Sequence, residues 1–420
     1  MQELKKGDLV NLTNGSQAKI IEELGRGGQG IVYKVEVSNK EMALKWYLNA
    51  PKQAFYKNLE ENVAKGAPSD AFLWPEYVTK KERGSYGYIM RLRPKGYYEF
   101  GQYLLARRQF KSFEAITNAA MKICEGFKLL HLRGYSYQDL NDGNFFINPD
   151  NGDVLICDND NVMPNNDSSG ILGKARYMAP EIVKGKSRPD SETDRFSLSV
   201  ILFMLFYANH PFEGARVLAC PCMTEKFEKQ FYGEEAVFIY DKDDNSNRPV
   251  RGVHNNVLRR WMLLPGILRE AFTTEFSKEK LADPTKRITE REWQKIIQSL
   301  RDMLVVCPHC GEENFVEEPT SPKCMACKRD FSISGTFQIK NRSILLTPKT
   351  NVYIDMDNKP DIMVFGVPGD KYPVQMRNVT AETWVVETQS GKLKQIQPNE
   401  TMPVRAGLKI SIGQNKGQLI

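Results

Sequence analysis

The chain has 420 residues, 41% of them hydrophobic and 26% charged, which is typical of a globular protein with two or three domains. Its net charge is only +6, from 58 basic and 52 acidic residues, so composition gives no reason to expect a nucleic-acid-binding protein. The polar first ten residues predict no secretory signal, and the most apolar stretch, residues 196–208, is too short for a membrane span and predicts a buried helix.

The first 95 residues or so are predicted to form short β-strands separated by glycine-rich or polar turns. One helix interrupts them at about residues 51–65, because a proline begins this segment and Gly66 follows it. Residues 25–32, GRGGQGIV, fit the pattern G-x-G-x-x-G-x-V, in which glycines let the backbone approach phosphate closely. These glycines lie between two strands, which argues against a dinucleotide-binding fold and leaves a plain tight hairpin as the alternative.

Residues 100–300 are predicted to be mostly helical. The helical candidates are residues 112–132, 194–208 and 290–304. After the first of them, the segment YQDLNDGN places Asp139 five positions before Asn144, and a short hairpin then leads to Asp158. Carboxylate and amide oxygens are suitable ligands for Mg²⁺. Asp-Asn-Gly clusters are also common in turns, so each piece alone would more often be a surface loop.

Four of the eight cysteines form two C-x-x-C pairs, Cys307/Cys310 and Cys324/Cys327, with 13 residues between the pairs. Four thiolates at this spacing predict a tetrahedral Zn²⁺ site of the zinc-ribbon type, which is structural because every ligand position is filled. A redox-active C-x-x-C motif is a poorer explanation than a zinc site, since two pairs are present. A chain without a signal peptide uses such pairs for metal more often than for disulfides, which predicts a reducing, cytoplasmic location.

Residues 336–420 contain short β-rich runs separated by Gly, Pro and Asn turns. This pattern predicts a small all-β domain, similar to a β-sandwich, that makes protein contacts. Its second half faintly resembles the end of a forkhead-associated domain, but the phosphothreonine-binding pattern of that family is absent from the sequence.

The order and spacing of the motifs over residues 17–300 resemble those of Hanks-type Ser/Thr protein kinases, and residues 72–75 resemble a bacterial branch of that family. Residues 137–144 resemble the catalytic loop H-R-D-x-x-x-x-N, and Lys45 lies in a strand similar to V-A-I-K. Residues 179–181 have the sequence A-P-E, which is identical to the motif that closes the kinase activation segment.

The resemblance implies an α+β fold class: a bilobal protein kinase domain at residues 1–304, with a β-rich N-lobe to about residue 93 and a helical C-lobe from about 94. A zinc ribbon at 305–335 and a small all-β domain at 336–420 would follow. The resemblance also implies that Asp194 braces the catalytic loop and that Glu181 forms a buried ion pair with Arg287.

The same resemblance implies the roles of the site residues. Asp139 would accept the proton of a substrate hydroxyl, and Asn144 and Asp158 would hold Mg²⁺ or Mn²⁺. Lys45 would bind the α- and β-phosphates of ATP and be held by Glu60, with Glu61 as the alternative. The implied nucleotide site consists of Gly25, Gly27, Gly30, Val32, Ala43, Lys45, Glu60, Met90 beside the adenine, and Leu92.

Three positions depart from the family pattern. The arginine before the catalytic aspartate is Gln138, so an obligatory switch by loop phosphorylation is less expected. The lysine two positions after that aspartate is Asn141, and our hypothesis is that Lys174 replaces its charge, the alternative being a solvated loop lysine. D-F-G is replaced by Asp-Asn-Asp, in which Asp160 is predicted to cap the next turn rather than bind metal.

The sequence therefore predicts a Mg-ATP-dependent protein serine/threonine kinase with an unknown protein substrate. The alternatives are a pseudokinase scaffold that binds nucleotide and recruits partners through the zinc ribbon and β-domain, and a small-molecule kinase. Glu181, Asp194 and Arg287 oppose the last of these, since they belong to the peptide-binding half of protein kinases. A partner phosphatase would fit a reversible circuit, and no nucleic-acid or membrane partner is expected.

Overall fold

The N-terminal unit is a twisted antiparallel sheet with one helix against it. The computed structural model describes residues 3–167 and 173–420. The strands run in the spatial order β1-β2-β3-β4-β6-β5. Their bounds are β1 (Leu9–Asn11), β2 (Gln17–Arg26), β3 (Gly30–Val37), β4 (Lys40–Tyr47), β5 (Tyr77–Val78) and β6 (Gly87–Arg91), and helix α1 (Gln53–Lys65) follows β4.

The two faces of this sheet pack into different cores because side chains alternate along each strand. On β3, Ile31, Tyr33 and Val35 belong to the outer core, whereas Val32 belongs to a second core beneath the sheet. Ala43 and Tyr47 of β4 face the same lower core, so Lys45 between them points the same way.

The second unit is mostly helical and is built around two long helices. Its short strands are β7 (Tyr98–Glu99), β8 (Tyr135–Ser136), β9 (Phe145–Ile147), β10 (Val154–Ile156) and β11 (Met163–Pro164). Its helices are α2 (Gly101–Leu104), α3 (Phe113–Leu132), α4 (Pro180–Val183), α5 (Ser191–Tyr207), α6 (Ala215–Leu218), α7 (Glu225–Lys229), α8 (Asn255–Leu263), α9 (Gly266–Glu275), α10 (Lys278–Ala282) and α11 (Glu290–Met303).

Helix α5 is buried along almost its whole length, which confirms the prediction of a core helix for residues 196–208. Its start is fixed by a capping box, in which the Asp190 side chain accepts from the Thr193 N–H and the Thr193 side chain accepts from the Asp190 N–H. In the described parts of the chain, no helix combines the length and apolar character that a membrane crossing requires.

The last part of the chain is entirely β. Strands β12 (Leu304–Val306) and β13 (Glu313–Phe315) form a small hairpin that carries the first C-x-x-C pair. Two further sheets follow, with strand orders β15-β14-β23-β22-β19-β20 and β16-β17-β18-β21. Their strands are β14 (Gly335–Ile339), β15 (Arg342–Leu346), β16 (Asn351–Val352), β17 (Ile362–Gly366), β18 (Val374–Asn378), β19 (Trp384–Glu387), β20 (Leu393–Ile396), β21 (Thr401–Pro403), β22 (Lys409–Ile412) and β23 (Asn415–Leu419).

The β-domain is joined to the helical lobe by buried polar contacts. The Arg342 guanidinium forms an ion pair with Asp302 at the end of α11, with N–O distances of 2.6 and 2.8 Å. The buried side chain of Arg301 donates to the Asp357 carbonyl at 2.6 Å. These contacts hold the β-domain against α11, a helix that lies far from the catalytic motifs in the sequence.

The predicted α+β class, with a β-rich lobe, a helical lobe and an all-β C-terminal part, is confirmed. The helices predicted near 51–65, 112–132 and 290–304 lie within two residues of their observed bounds. The exact domain boundaries and the forkhead-associated likeness stay predictions.

Candidate active site

The catalytic motif residues lie on two loops that the β9–β10 hairpin joins. Ile147 pairs with Val154 in that hairpin, so Asn144 before it and Asp158 after it lie at the same end. The Cys157 N–H donates to the Asn144 carbonyl at 2.9 Å, which fixes the two loops side by side. Asp158 has a φ of 56°, a left-handed conformation that costs a non-glycine residue about 1–3 kcal/mol and is concentrated at functional sites.

Asp194 holds the backbone of the catalytic loop, as predicted. Its carboxylate accepts from the N–H groups of Tyr137 at 2.6 Å and Gln138 at 3.1 Å. Gln138 itself has a φ of 70°, so the loop bends sharply just before Asp139. The buried carboxylate thus orients the residue that carries the candidate base.

His131 is a buried residue of this network that sequence reasoning missed. Its Nε2 lies 3.1 Å from the Asp194 carboxylate, and its Nδ1 lies 2.8 Å from Glu290 on α11. Burial opposes protonation of His131, but the hydrogen bonds to Asp194 and Glu290 outweigh it and raise its pKa to about 9. A single histidine on a helix has no spacing signal that would identify this role.

We expect the protonation of His131 to make stability depend on pH. Its folded pKa of about 9 lies above the unfolded value of about 6.5, so its contribution is complete below pH 6.5 and is lost as pH rises through 9. The contribution is about 3 kcal/mol, at about 1.4 kcal/mol per unit of pKa. Urea unfolding at pH 6.5 and 9 should show this loss in the wild type and a much smaller one in His131→Gln.

His210 provides the matched control for that experiment. It is also fully buried, but burial lowers its pKa to about 4, so it is neutral over the whole range. The His210→Gln variant should keep the wild-type pH dependence. Parallel curves for His131→Gln and the wild type would contradict the assignment.

Asp139 lies among amide and carboxylate side chains at the centre of the site. The Asn141 side chain donates to its carbonyl at 3.2 Å and to its Oδ1 at 3.4 Å, and Asn161 donates to Oδ2 at 3.4 Å. Burial and the nearby Asp158 carboxylate raise the pKa of Asp139 to about 6, and Lys174 opposes this rise. A carboxyl with such a pKa is ionised at neutral pH and remains a competent base.

Lys174 lies beside the residue that replaces the family lysine. Its Nζ donates to Asn141 Oδ1 at 3.0 Å, and its charge acts on Asp139. Asn141 also accepts from the Gly143 N–H at 3.1 Å, so the amide that receives Lys174 is fixed in place. The ammonium is therefore bonded to the neighbour of the candidate base, and the lysine side chain as a whole remains exposed, as the solvated-loop alternative expects.

The predicted pairing of Lys45 with Glu60 is wrong. The Lys45 ammonium is buried and contacts Asp160 at 2.9 and 3.1 Å and Asp158 at 3.2 Å. Burial opposes its charge, but Asp160 and Asp158 together raise the Lys45 pKa above its usual value. Glu60 is exposed, and the alternative Glu61 pairs with Lys57 at 3.7 Å.

The orientation of α1 explains the error. Asn58 and Asn62, one helical turn apart, lie on the buried face, and both donate to the Val162 carbonyl, at 2.8 and 3.1 Å. Glu60 lies two positions from each, about 200° around the helix, and so faces solvent.

Four residues of the implied nucleotide site meet in the core beneath the sheet. Val32, Ala43, Met90 and Leu92 belong to one apolar cluster. Two residues that were not predicted complete it. Phe146 packs on the cluster from β9, and the Arg93 guanidinium lies 4.0 Å from the centre of its ring.

The glycine-rich hairpin is open where a phosphate would approach. A side chain at Gly25 would meet no atom within 4 Å, and one at Gly27 would meet only the Gly30 carbonyl, at 4.0 Å. Gly30 is different, because a Cβ there would lie 2.5 Å from the Trp46 carbonyl, so only glycine fits. Gln29 at the tip of the hairpin accepts from Lys45 at 3.4 Å.

The predicted ion pair between Glu181 and Arg287 is confirmed. The Arg287 Nη2 lies 2.8 Å from Glu181 Oε2, and the arginine side chain is buried. The Arg287 Nη1 also donates to the Glu192 carbonyl at 2.8 Å. Arg287 therefore links α4, which carries Glu181, to α5, which carries Glu192.

The four cysteines of the two C-x-x-C pairs form a single cluster. The sulfurs of Cys307, Cys310, Cys324 and Cys327 all lie within 4.8 Å of one another. Two of the separations are 3.6 and 3.9 Å, close to the ~3.8 Å between sulfurs bound tetrahedrally at ~2.3 Å from one Zn²⁺. The amide of Asn314 donates to the Cys324 sulfur at 3.6 Å, which favours its thiolate.

Comparison with known sequences agrees with this geometry. A sequence model of the protein kinase domain matches residues 18–299. Protein kinase YegI of Escherichia coli strain K12 is 24% identical over 326 residues, which cover 72% of this chain and 48% of that protein.

Two eukaryotic relatives match shorter regions. The probable serine/threonine-protein kinase CCRP1 of Zea mays is 31% identical over 115 residues, 26% of this chain and 18% of that protein. Protein kinase C delta type of Rattus norvegicus is 28% identical over 202 residues, 46% of this chain and 29% of that protein. The chain thus spans about half the length of its curated relatives, or less.

Proposed function

Because the chain belongs to the protein kinase family, we propose that it transfers the γ-phosphate of ATP to serine or threonine hydroxyls of a protein. The observation that carries the proposal is the proximity of four residues: Lys45 contacts Asp158, the Asp158 loop is bonded to the Asn144 loop, and Asp158 acts electrostatically on Asp139. The loop that carries Asp139 is braced by Asp194. The name of one relative, the probable serine/threonine-protein kinase CCRP1 of Zea mays, supports serine and threonine as acceptors.

The residues present fit Mg²⁺. Asn144 and Asp158 lie on adjacent loops, and the Asp158 side chain is 45% exposed, so one of its oxygens is accessible beside the contact with Lys45. The buried Asn144 Oδ1 accepts from the Asn141 N–H at 2.8 Å, so it would bind the metal through its second lone pair. When bound, Mg²⁺ or Mn²⁺ would neutralise charge on the phosphates. Lys45 would orient the α- and β-phosphates, and Asp139 would accept the hydroxyl proton.

The test is incubation of the purified chain with ATP labelled at the γ-phosphate, Mg²⁺ and generic protein substrates. We expect acid-stable label on serine or threonine of the substrates or of the chain itself. Label on tyrosine alone would contradict the acceptor class. Nucleotide binding without any transfer would favour the pseudokinase scaffold, which the replacement of the family lysine by Asn141 supports.

Lys174 is proposed to supply the cation that is missing at position 141. We expect Lys174→Ala to lower kcat about 100-fold with a smaller change in the KM for ATP, because removing one preorganised charge costs about that much. Steady-state kinetics would measure both constants. Lys186, an exposed lysine shortly after the same segment, gives the control Lys186→Ala, which should stay within twofold of the wild type.

Lys45→Ala provides the comparison, since it should abolish turnover. If Lys174→Ala keeps wild-type turnover while Lys45→Ala loses it, Lys174 is a solvated loop residue and the proposal is wrong.

The cysteine cluster is proposed to bind one structural Zn²⁺. Four thiolates fill a tetrahedral shell and leave no open position for catalysis. The site therefore supports the packing of the ribbon on the kinase lobe rather than the phosphoryl transfer.

A further inference from the structure

Lys45 has two acidic partners, and both come from the Asp-Asn-Asp segment. Asp160 is completely buried and uses both carboxylate oxygens on the Lys45 ammonium, at 2.9 and 3.1 Å. Asp158 uses one oxygen, at 3.2 Å, and its side chain is half exposed. Asp158 is also the candidate metal ligand, so its carboxylate has a second task that Asp160 lacks.

Asp160 is held from the sheet side by two tyrosines. The Tyr47 hydroxyl donates to Asp160 Oδ2 at 2.7 Å, and the Tyr88 hydroxyl donates to Oδ1 at 3.3 Å. Tyr47 lies two residues after Lys45 on β4, and Tyr88 is the cross-strand partner of Lys45 on β6. The three side chains therefore project from one patch of sheet and surround the same carboxylate.

The backbone on either side of Asp160 is also fixed. The Asn159 side chain donates to the carbonyls of Leu73 at 2.8 Å and Ile156 at 2.9 Å. The carbonyl of Val162 accepts from the two inward asparagines of α1. A buried carboxylate fixed in this way has little freedom to leave its cation, and removal of either partner would leave an unpaired buried charge.

Helix α1 contributes no acid to this network in the described part of the chain. None of its buried side chains is acidic: they are Tyr56, Asn58, Leu59 and Asn62. Glu60 is exposed, and Glu61 pairs with Lys57. Movement of α1 would break its bonds to Val162, but it would not directly remove a carboxylate from Lys45.

We propose that Asp160 is the positioning residue that holds Lys45 for the phosphates of the nucleotide, a task that the sequence had assigned to a glutamate of α1. Asp160 touches neither substrate nor metal in this role and acts through Lys45. The proposal rests on the proposed function only for its kinetic readout, because nucleotide binding tests it separately.

The first experiment compares Asp160→Asn with the matched α1 variants Glu60→Gln and Glu61→Gln. Asparagine preserves the shape of the side chain but removes the charge on Lys45's main partner. We expect Asp160→Asn to lower kcat/KM for ATP about 100-fold, since misplacement of a binding group by about 1 Å costs that much, and the glutamine variants to stay within twofold. Wild-type values for Asp160→Asn, or an equal loss in Glu60→Gln, would overturn the proposal.

A double-mutant cycle separates positioning from a general structural role. If Asp160 acts through Lys45, the effects of the two substitutions on nucleotide affinity should not add. The double variant Lys45→Met/Asp160→Asn should therefore bind nucleotide less than about threefold more weakly than Lys45→Met alone. An additional loss equal to that of the single variant would overturn the proposal. The readout is the Kd of a fluorescent ATP analogue with Mg²⁺, which remains measurable if no phosphate transfer occurs in the wild type and the proposed function itself fails.

Tyr47→Phe keeps the proposal testable if Asp160→Asn does not fold. This variant removes one hydrogen bond to the carboxylate and keeps the ring, so we expect an affinity loss of about tenfold, as for a hydrogen bond to a charged group. Unchanged affinity in a folded Tyr47→Phe protein would contradict the assignment.

Discussion

Asp139→Asn is expected to lower kcat about 1,000-fold, because general bases contribute about 10²–10⁴-fold and asparagine cannot accept the hydroxyl proton. The fold should survive, since asparagine has the same shape and the loop is held by Asp194 bonding to the N–H groups of Tyr137 and Gln138. Initial-rate measurements with labelled ATP, together with the thermal midpoint, check both parts. Asp142→Asn, three residues later in the same loop, is the control for a general effect of charge removal.

The pH dependence of wild-type turnover tests the role of Asp139 in a second way. Because burial and Asp158 raise the pKa of Asp139 to about 6, its ionised form is lost as pH falls through 6. Turnover of the wild type should therefore decline on the acidic side of pH 6, whereas the residual turnover of Asp139→Asn should lack that step. An Asp139→Asn protein with more than a tenth of wild-type activity would show that the carboxylate is not the base.

The proximity of the predicted catalytic residues follows from their spacing along the chain. Asp139 and Asn144 lie five positions apart on one loop, and the hairpin that separates them from Asp158 is short, so local geometry alone brings them together. The pairs that join distant segments, Glu181 with Arg287 and Asp194 with the loop backbone, were predicted only because a family resemblance supplied the tertiary structure.

The wrong partner for Lys45 has a different cause. An acid on α1 and an acid after β10 are equally plausible in sequence, and the choice depends on the rotation of α1 about its axis. The buried face of α1 includes Asn58 and Asn62, two polar residues that hydrophobic periodicity does not identify and that bond to the Val162 carbonyl. His131 was missed for a related reason, since its importance comes from two carboxylates that are distant in the chain.

The packing of the C-terminal region on the kinase lobe could not be predicted from the sequence either. Alternation of apolar residues predicts strands, but the contacts with the kinase lobe depend on individual polar side chains such as Arg342 and Asp302. Glu313 of the ribbon contacts the kinase lobe directly. Its carboxylate accepts from the N–H groups of Phe113 and Glu114, the first two residues of α3. These bonds favour the charged carboxylate at the helix N-terminus, but burial outweighs them and raises the pKa of Glu313 to about 7.

Removal of the proposed Zn²⁺ is expected to unfold the ribbon and weaken the kinase lobe with it. Structural Zn²⁺ contributes about 10–16 kcal/mol to small zinc domains, so β12 and β13 should not remain paired without it. The kinase lobe would then lose the Glu313 cap and the contact of Phe315 with Phe113, whose rings are 5.2 Å apart. A lost cap costs about 1–2 kcal/mol, which corresponds to about 2–8 °C in the melting temperature of a domain this size.

Three variants separate these effects. Cys324→Ser should abolish the bound zinc, lower the melting temperature and expose residues 304–333 to proteolysis. Glu313→Gln should keep the metal and reproduce only the smaller loss in the kinase lobe, whereas Cys222→Ser, an exposed cysteine outside the cluster, should match the wild type in zinc content and stability. Atomic absorption and thermal unfolding provide the measurements. If Cys324→Ser loses zinc but keeps the wild-type melting temperature, the ribbon is not coupled to α3, and its packing on the kinase lobe contributes little to stability.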